Sequence, residues 1–288
     1  MTKYSGLFPP KKYGTLVTLA LVGLLSVLAS AEAQAAGADP LTGKLVVTGA
    51  STLAPLVAEI GKRFESLHPT VRIDVQTGGS SRGIADARQG LADIGLVSRA
   101  LKEDEQDLSA FPIARDGVCI ILHQDNPVRV LTDDQVIAIY TGKVTNWKEV
   151  GGIDAPITVV NKAEGRSTLE VFLRYFRLKN TDVKAHVVIG DNEQGVKTVA
   201  GNRHAIGYVS VGTAEYDAAH RVPIQLLSIG GVAASTENVR RGLFPLSRPL
   251  HLVTRAAPSG LAKAFIEYAQ AKAVYDLIRQ QYFVPLAD

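Results

Sequence analysis

The sequence has a single cysteine, Cys119, and aromatic residues occupy only 6% of its 288 positions. One cysteine excludes an intrachain disulfide, so the fold must rest on its hydrophobic core, which a chain of this length can form. Cys119 lies in the apolar segment GVCIILH, and we expect a buried thiol rather than a reactive one. Because the chain also lacks a long basic run, the sequence does not support nucleic-acid binding.

Signatures of a metal site are also missing, and the sequence offers little that points to catalysis. The six histidines form no i, i+4 pair and have no cysteine partner, so the sequence predicts neither a metal site nor a cofactor. One segment, GSSRG at 79–83, has the G-x-S-x-G spacing, and sequence alone does not exclude a Ser–His–Asp arrangement. The GRST segment at 165–168 is not a nucleotide-binding loop, because Val160 replaces the required first glycine and Arg166 replaces the lysine. We expect a protein that is not an enzyme.

The first 35 residues have the parts of a secretory signal peptide. Lys11 and Lys12 precede the apolar stretch GTLVTLALVGLLSVLAS, and Ala33-Gln34-Ala35 matches a small-x-small cleavage pattern. The apolar stretch, about 15 residues, is short for a membrane-spanning helix of about 20, and an uncleaved anchor is the alternative. Cleavage would reduce the formal charge from +3 to about +1. The sequence therefore predicts export to the periplasm.

Three strand-like segments each end in a turn of glycine and hydroxyl residues that leads into a helix. The turns carry Ser51 and Thr52, Ser80 and Ser81, and Ser167 and Thr168. A helix start leaves backbone N–H groups unpaired and bears the positive end of the peptide dipole. Glycine admits a ligand to the backbone, and a hydroxyl adds a donor at the same place. Three such turns favour helix starts that converge on a small oxyanion.

From Pro40 onward, strand-like and helical segments alternate, which is typical of open, largely parallel α/β sheets. We expect two lobes, each a mostly parallel sheet flanked by helices, with crossing strands as a hinge. Lobe 1 takes residues 38–123 and 225–288, lobe 2 takes residues 124–224, and the crossings lie near 113–124 and 206–226. In such folds ligands bind beyond the carboxyl ends of the strands, where all three hydroxyl turns lie.

A set of segments occurs in an order that resembles one known family. They are TGAST, GGSSRGI, ADIGLVSRALKEDE, LTDDQVIAIYTGKVTNWKEVGG, EGRST, AIGYVSVGTA and FPLSRPLHLVT. Together, over about residues 42–288, they resemble the periplasmic phosphate-binding proteins of ABC-type phosphate importers. The resemblance implies a type II periplasmic-binding-protein-like fold with dehydrated phosphate held between two lobes. It also implies an ABC permease and its ATPase in the inner membrane as partners.

The resemblance also implies which residues bind the ligand, position by position. It assigns ligand contacts to Ser51 and the N–H of Thr52, to Ser80, to Ser98 with Arg99, and to Glu164, Arg166, Ser167 and Thr168. The best-known form of the family has Ser-Asp where this chain has Ser98-Arg99, and an arginine where it has Lys162. That aspartate accepts the proton carried by phosphate, so its replacement bears directly on which anion is bound.

Each of these residues also has an ordinary structural role as an alternative. Glu164 is the candidate acceptor for the phosphate proton, or else it charges the first turn of a helix. Arg99 and Arg166 fit an anion through the guanidinium fork, or else Arg99 pairs with Glu103 or Asp104 at the surface. Ser51, Ser80 and Thr168 are alternatively plain helix N-caps, Lys162 is alternatively exposed, and Trp147 is expected to be a packing anchor.

The leading hypothesis is a monomeric periplasmic protein that captures inorganic phosphate and delivers it to an ABC importer without any reaction. One alternative is the same scaffold tuned to sulfate or another oxyanion, because the acid beside Ser98 is missing. Another is an exported phosphate-ester hydrolase, which would need a metal cluster or an activated nucleophile. A third is a surface or matrix protein that has lost its ligand.

Overall fold

The computed structural model of the chain describes Gly6 and residues 41–287. The predicted signal peptide at 1–35 lies outside the described residues, apart from Gly6. Within the described part, no helix combines the length and the apolar character needed to cross a lipid bilayer.

Ten strands in residues 41–287 join in one sheet, of which eight follow the order β2-β1-β3-β9-β4-β7-β5-β6 while β8 and β10 pair with β4. The strands are β1 (Gly43–Gly49), β2 (Val71–Thr77), β3 (Ile94–Val97), β4 (Ser109–His123), β5 (Thr158–Lys162), β6 (Val187–Ile189), β7 (Ala205–Ser210), β8 (Ile224–Leu226), β9 (Ser247–Thr254) and β10 (Val284–Pro285).

Helices connect most of these strands, as the alternating sequence pattern predicts. They are α1 (Ala54–Leu67), α2 (Ser80–Gln89), α3 (Asp133–Tyr140), α4 (Ser167–Phe176), α5 (Asn192–Ala200), α6 (Val211–Ala219), α7 (Thr236–Arg240), α8 (Gly260–Gln270) and α9 (Tyr275–Gln280). Short 3-10 turns lie at Glu103–Glu105, Trp147–Val150, Asn180–Asp182 and Lys272–Val274.

The long strand β4 links two parts of the sheet. Its residues 109–117 pair antiparallel with β9, and its residues 118–123 pair antiparallel with β7 or β8. We call β1, β2, β3 and β9 the first half-sheet, and β5, β6, β7 and β8 the second half-sheet. The strands β2, β1 and β3 run parallel to one another, and so do β6, β5 and β7. The fold is thus the mixed α/β architecture with flanking helices that the sequence predicts.

Separate clusters of buried side chains pack on the two half-sheets. Beside the first, Ile60 and Phe64 of α1 meet Phe265 of α8. Beside the second, the ring of Phe172 in α4 stacks on that of Tyr208 in β7, with centroids 4.0 Å apart. The separate clusters are compatible with two lobes, but the predicted lobe boundaries stay a prediction.

Two side chains singled out in the sequence have the packing roles expected of them. Trp147 is fully buried, and its indole Nε1 donates to the carbonyl oxygen of His204 at 2.9 Å. Cys119 in β4 is also fully buried, and burial raises the pKa of its thiol well above the ordinary value. Both residues therefore contribute to the core rather than to chemistry.

Near the end of the chain, one continuous helical sequence pattern forms two separate helices. The pattern LAKAFIEYAQAKAVYDLIRQQYF predicts continuous helix, but α8 ends at Gln270 and Ala271 is extended, with φ −74° and ψ 151°. The buried residues Phe265, Ile266 and Ala269 lie on one face of α8. A continuous helix would next turn residues 272, 273 and 276 inward, whereas the buried ones are Val274, Leu277 and Ile278. The break at Ala271 therefore allows Val274, Leu277 and Ile278 to face the core.

The segment near 206–226, predicted as the second crossing, lies beside β4 in the second half-sheet. That segment forms β7, α6 and β8, which all pack within the second half-sheet because β7 pairs with β4 and β5 and β8 pairs with β4. The chain returns to the first half-sheet through residues 227–246, which contain α7.

Candidate anion-binding site

A small cavity lies where the strand ends of both half-sheets meet. From the first half-sheet it is lined by Ala50, Ser51 and Thr52 after β1, Gly79 and Ser80 after β2, and Ser98 after β3. From the second it is lined by Lys162 at the end of β5, Arg166, Ser167 and Thr168 at the start of α4, and Gly190 after β6. Each group follows the carboxyl end of a strand, where open α/β sheets bind ligands.

The three helices that start at this cavity have no side-chain cap. The N-cap residues of α1, α2 and α4 are Leu53, Gly79 and Arg166, and none of them makes a capping hydrogen bond. By contrast, α3, α5 and α6 are capped by Thr132, Asp191 and Ser210. Ser51, Ser80 and Thr168 are therefore not plain N-caps. The N–H of Ala54 is bonded to the carbonyl oxygen of Ala50, but among the described residues the N–H groups of Thr52, Ser80 and Thr168 have no backbone partner and remain available to a ligand.

The two half-sheets approach each other closely at this cavity. Gly79 has φ +94°, and a Cβ atom there would lie 2.6 Å from the carbonyl oxygen of Gly165. Ser81, the second residue of α2, donates its backbone N–H to that same oxygen at 3.2 Å. The hydroxyls of Ser80 and Ser167 are hydrogen-bonded to each other across the gap. Glycine at 79 is thus required both by its backbone angle and by the contact.

Two cationic side chains of the second half-sheet line the cavity. Lys162 is only 2% exposed, so the expectation of an exposed side chain is wrong. Its ammonium Nζ donates to Oδ1 of Asn192 at 2.9 Å. Arg166 is half-buried, and its Nη2 would lie 3.2 Å from a Cβ atom at Gly190. A guanidinium and an ammonium at one small cavity favour an anionic ligand.

Burial, together with the nearby charge of Arg248, lowers the pKa of Lys162 from 10.5 to about 7. Asp191 and Glu193 raise it, while Arg166 also lowers it. A lysine in this position changes its charge near neutral pH. A bound anion would favour the protonated form, because it supplies the opposite charge that this site lacks.

The residue-based prediction missed an arginine behind the cavity wall. Arg248 in β9 has a completely buried side chain, and its Nη2 lies 2.8 Å from Oδ2 of Asp116 in β4. Asp116 also accepts from the hydroxyl of Ser210 at 2.9 Å and from the N–H of Gly212 at 3.2 Å. The signal was present in the sequence, because Asp116 and Arg248 are charged residues inside apolar strands, and such residues are rarely buried without a partner.

Asn192 at the start of α5 was also missed. Its Oδ1 accepts from Lys162, and its Nδ2 donates to Oγ1 of Thr52 at 3.1 Å, which joins the two half-sheets. Asn192 and Thr52 also line a larger cavity beside the first, together with Asp191, Thr213 and Tyr216 among others. A polar residue after a short strand was the available signal, but only the fold shows which turn it faces.

Arg99 does not line the cavity, which corrects the prediction made from Ser98-Arg99. It is 2% exposed, and its guanidinium forms two hydrogen bonds to the carboxylate of Glu105, of 2.6 and 2.8 Å. Its Nε also contacts the carboxylate of Glu170 in α4, on the other half-sheet. The expected surface pairing with Glu103 or Asp104 is likewise replaced by this buried cluster. Ser98, by contrast, does line the cavity.

Glu164 does not line the cavity either. Its side chain is exposed and accepts a hydrogen bond from Nδ2 of Asn180 at 3.0 Å. Among residues 41–287, those that line the cavity include no aspartate or glutamate. Hence, among the residues predicted to bind the ligand, the structure brings together Ser51, Thr52, Ser80, Ser98, Arg166, Ser167 and Thr168, and places Arg99 and Glu164 elsewhere. Within the described residues, no group of three or more metal-ligating acids, histidines or cysteines is clustered.

Comparison with known proteins identifies relatives over most of the chain. The family model for the PBP superfamily domain matches residues 32–272. The phosphate-binding protein PstS of Bacillus subtilis is 29% identical over 261 residues, which cover 88% of this chain and 85% of that protein. The phosphate-binding protein PstS of Pseudomonas aeruginosa is 27% identical over 281 residues, covering 86% and 85% of the two chains.

Solved structures show the same similarity. A Clostridium perfringens protein, assigned as a phosphate ABC transporter substrate-binding protein and solved with bound phosphate, is 32% identical and superposes with a TM-score of 0.77. The match covers 85% of this chain and 100% of that one. An ABC-type phosphate transport receptor from Vibrio cholerae is 28% identical, with a TM-score of 0.70 over 83% of this chain and 99% of the receptor.

Proposed function

This chain belongs to the PBP superfamily, and on that basis we propose that it captures inorganic phosphate in the cavity between its half-sheets for an ABC importer. The proposal agrees with the relatives, which are named as phosphate-binding proteins and phosphate transport receptors. These relatives do not favour the hydrolase alternative. The protein binds and releases its ligand without a reaction.

One observation carries the proposal: three uncapped helix starts and two cationic side chains meet at one small cavity. Thr52 just before α1, and Ser80 and Thr168 at the starts of α2 and α4, offer backbone N–H donors, and each brings its hydroxyl to the lining. Lys162 and Arg166 supply positive charge on the same cavity. A tetrahedral oxyanion has enough acceptor oxygens to satisfy all of these donors when it is stripped of water.

The cavity lining has no carboxylate, and this bears on selectivity against sulfate. A carboxylate rejects fully ionised sulfate because the two negative groups repel and the acceptor stays unpaired. In this proposal the proton of phosphate is accepted by the hydroxyl oxygen of Ser167, which donates to Ser80 and keeps its own lone pairs, whereas Oγ of Ser80 also accepts from the N–H of Ser98. A hydroxyl penalises sulfate less than a carboxylate does. We therefore expect weaker discrimination between phosphate and sulfate than a carboxylate site provides.

In this proposal the ligand draws the two half-sheets together, and the closed form is recognised by a membrane permease whose ATPase drives import. The contacts across the cavity, such as Thr52 with Asn192 and Ser80 with Ser167, support a closed form of this kind. The protein acts as a monomer in the periplasm after removal of residues 1–35. Ser51, Thr52, Ser80, Ser98, Arg166, Ser167 and Thr168 bind the anion.

Isothermal titration of the anion-free protein with phosphate, sulfate and molybdate tests the ligand. We expect phosphate to bind, with a preference over sulfate that the variant Ser167→Ala reduces. The anion retained by protein purified without added phosphate gives a second readout. Sulfate or molybdate bound more tightly than phosphate would overturn phosphate as the ligand, and failure to retain or bind any oxyanion would overturn the binding function altogether.

A further inference from the structure

Burial of the Arg248 side chain costs desolvation free energy, and its ion pair alone does not explain why an arginine is placed there. The buried pair with Asp116 removes two charges from water, and such a pair is often no more stabilising than apolar residues of the same size. The guanidinium uses Nε and Nη2 on Asp116, at 3.0 and 2.8 Å. Within the described residues, its remaining side-chain hydrogen bonds all go to hydroxyl groups.

Those hydroxyls belong to three residues that line the anion cavity. Nη1 of Arg248 donates to Oγ1 of Thr168 at 3.1 Å and to Oγ of Ser98 at 3.4 Å, and Nη2 donates to Oγ1 of Thr52 at 3.3 Å. Thr52 and Ser98 belong to the first half-sheet, whereas Thr168 belongs to the second. A single guanidinium therefore contacts lining hydroxyls from both sides. Arg248 itself is not among the lining residues.

The hydrogen bonds at Thr52 determine where its hydroxyl hydrogen points. Oγ1 accepts from Arg248 and also from Nδ2 of Asn192, so both of its lone pairs are used. The orientation of the Asn192 amide is set because its Oδ1 accepts from Lys162 at 2.9 Å and from the N–H of Ser210 at 3.4 Å. The Thr52 hydroxyl is left with only its hydrogen, which must be donated elsewhere. The cavity that Thr52 lines is the place where an acceptor would be bound.

We propose that Arg248 is a positioning residue, which orients the hydroxyls of Thr52, Ser98 and Thr168 as donors to the bound anion without touching it. The inference rests on the proposed function. By occupying a lone pair on each oxygen, Arg248 favours the rotamer in which the hydrogen faces the cavity. A hydrogen bond to a charged group contributes enough that losing one weakens binding by about tenfold to hundredfold.

The test is a double-mutant cycle with Arg248→Lys and Thr52→Val, measured by isothermal titration with inorganic phosphate. A lysine keeps the positive charge beside Asp116 but lacks the planar fork that reaches three hydroxyls at once. We expect each single variant to bind phosphate about tenfold to hundredfold more weakly. We expect the double variant to lose clearly less than the product of the two, because both changes remove the same donor.

Two further variants separate positioning from a general effect on folding. Arg63 is another bidentate arginine, and it forms hydrogen bonds of 2.7 and 2.8 Å with the carboxylate of Asp276. Neither residue lines the cavity, so Arg63→Lys should leave the phosphate affinity unchanged. If Arg248→Lys does not fold, Arg248→Met combined with Asp116→Leu replaces the pair by apolar groups that such sites tolerate. This combined replacement then takes the place of Arg248→Lys as one arm of the cycle with Thr52→Val.

The outcomes distinguish the two proposals. If the parent protein binds phosphate but the losses at Arg248 and Thr52 multiply, or if Arg248→Lys binds as the parent does, the positioning role is overturned and the proposed function stands. If the parent protein binds no oxyanion, the proposed function fails and the inference fails with it. Coupled losses with an unaffected Arg63→Lys variant support the positioning role.

Discussion

Lys162 places an ammonium group at the anion cavity with only 2% of the residue exposed, and we expect this to cost stability in the ligand-free protein. The perturbation that reveals the cost is Lys162→Met, which has a similar length but no charge. It leaves the amide oxygen of Asn192 still accepting from the N–H of Ser210. The variant is expected to be more stable than the parent protein and to bind phosphate poorly.

The magnitude follows from the pKa of Lys162, which falls from 10.5 to about 7 on folding. Each factor of ten in proton affinity corresponds to about 1.36 kcal/mol, so keeping Lys162 charged in the folded state costs about 5 kcal/mol at low pH. Between pH 7 and pH 10.5 the unfolded chain binds more protons at this residue than the folded one does. The stability contributed here therefore rises with pH in that window, and the cost is fully present below pH 7.

Urea unfolding of the parent protein and of Lys162→Met, both free of anion, measures the difference in their free energies of unfolding at several pH values. We expect the advantage of Lys162→Met to be several kcal/mol at about pH 6 and to shrink towards zero at about pH 10. Lys263→Met is the matched control, because Lys263 is exposed and its ion pair with Glu267 spans 3.7 Å. An advantage that stays constant across the pH range would refute the argument, since it would show that Lys162 keeps its proton in the folded protein.

Three other predictions concern residues outside the cavity. Glu164→Gln should leave the ratio of phosphate to sulfate affinity unchanged in calorimetry, because the exposed Glu164 carboxylate is bonded to Asn180 instead; a loss of selectivity would contradict its placement. Glu170→Gln should lower the free energy of unfolding by about 1–3 kcal/mol in urea because it weakens the contact with the buried Arg99, whereas Lys102→Ala should change it by less than about 1 kcal/mol. Cys119 should not react with a thiol reagent until the protein is unfolded, and rapid labelling of the native protein would contradict its burial.

Much of the fold could be predicted from the local pattern of apolar and polar residues. Strands such as β1 and β5 are short apolar runs that end in glycine or polar residues, and the helices after them show a clear apolar face. The end of the chain was harder to predict because a helical pattern continues through residues 261–283. There the buried positions change phase at Ala271, and only packing against the core makes that break favourable.

The candidate site, like the fold, could be predicted from the sequence only in part. The hydroxyl turns were predictable because a strand, a glycine-rich turn and a helix follow one another in the chain. The roles of the charged residues were not, because Arg99 and Arg248 each reach partners distant in sequence. Arg99 lies one residue after a lining serine, yet its guanidinium points to Glu105 and Glu170. Arg248 lies 132 residues from Asp116, the residue that neutralises it.

By itself the sequence determined that this protein has an α/β fold and three hydroxyl turns that lead from strands into helices, because both depend on the order of neighbouring residues. Only the tertiary structure decided which charges reach the anion cavity. A long charged side chain near a strand end can turn towards the cavity or into the protein, and the choice depends on partners contributed by other strands and helices. Lys162 therefore lies in the cavity wall, whereas Arg99 and Glu164 do not.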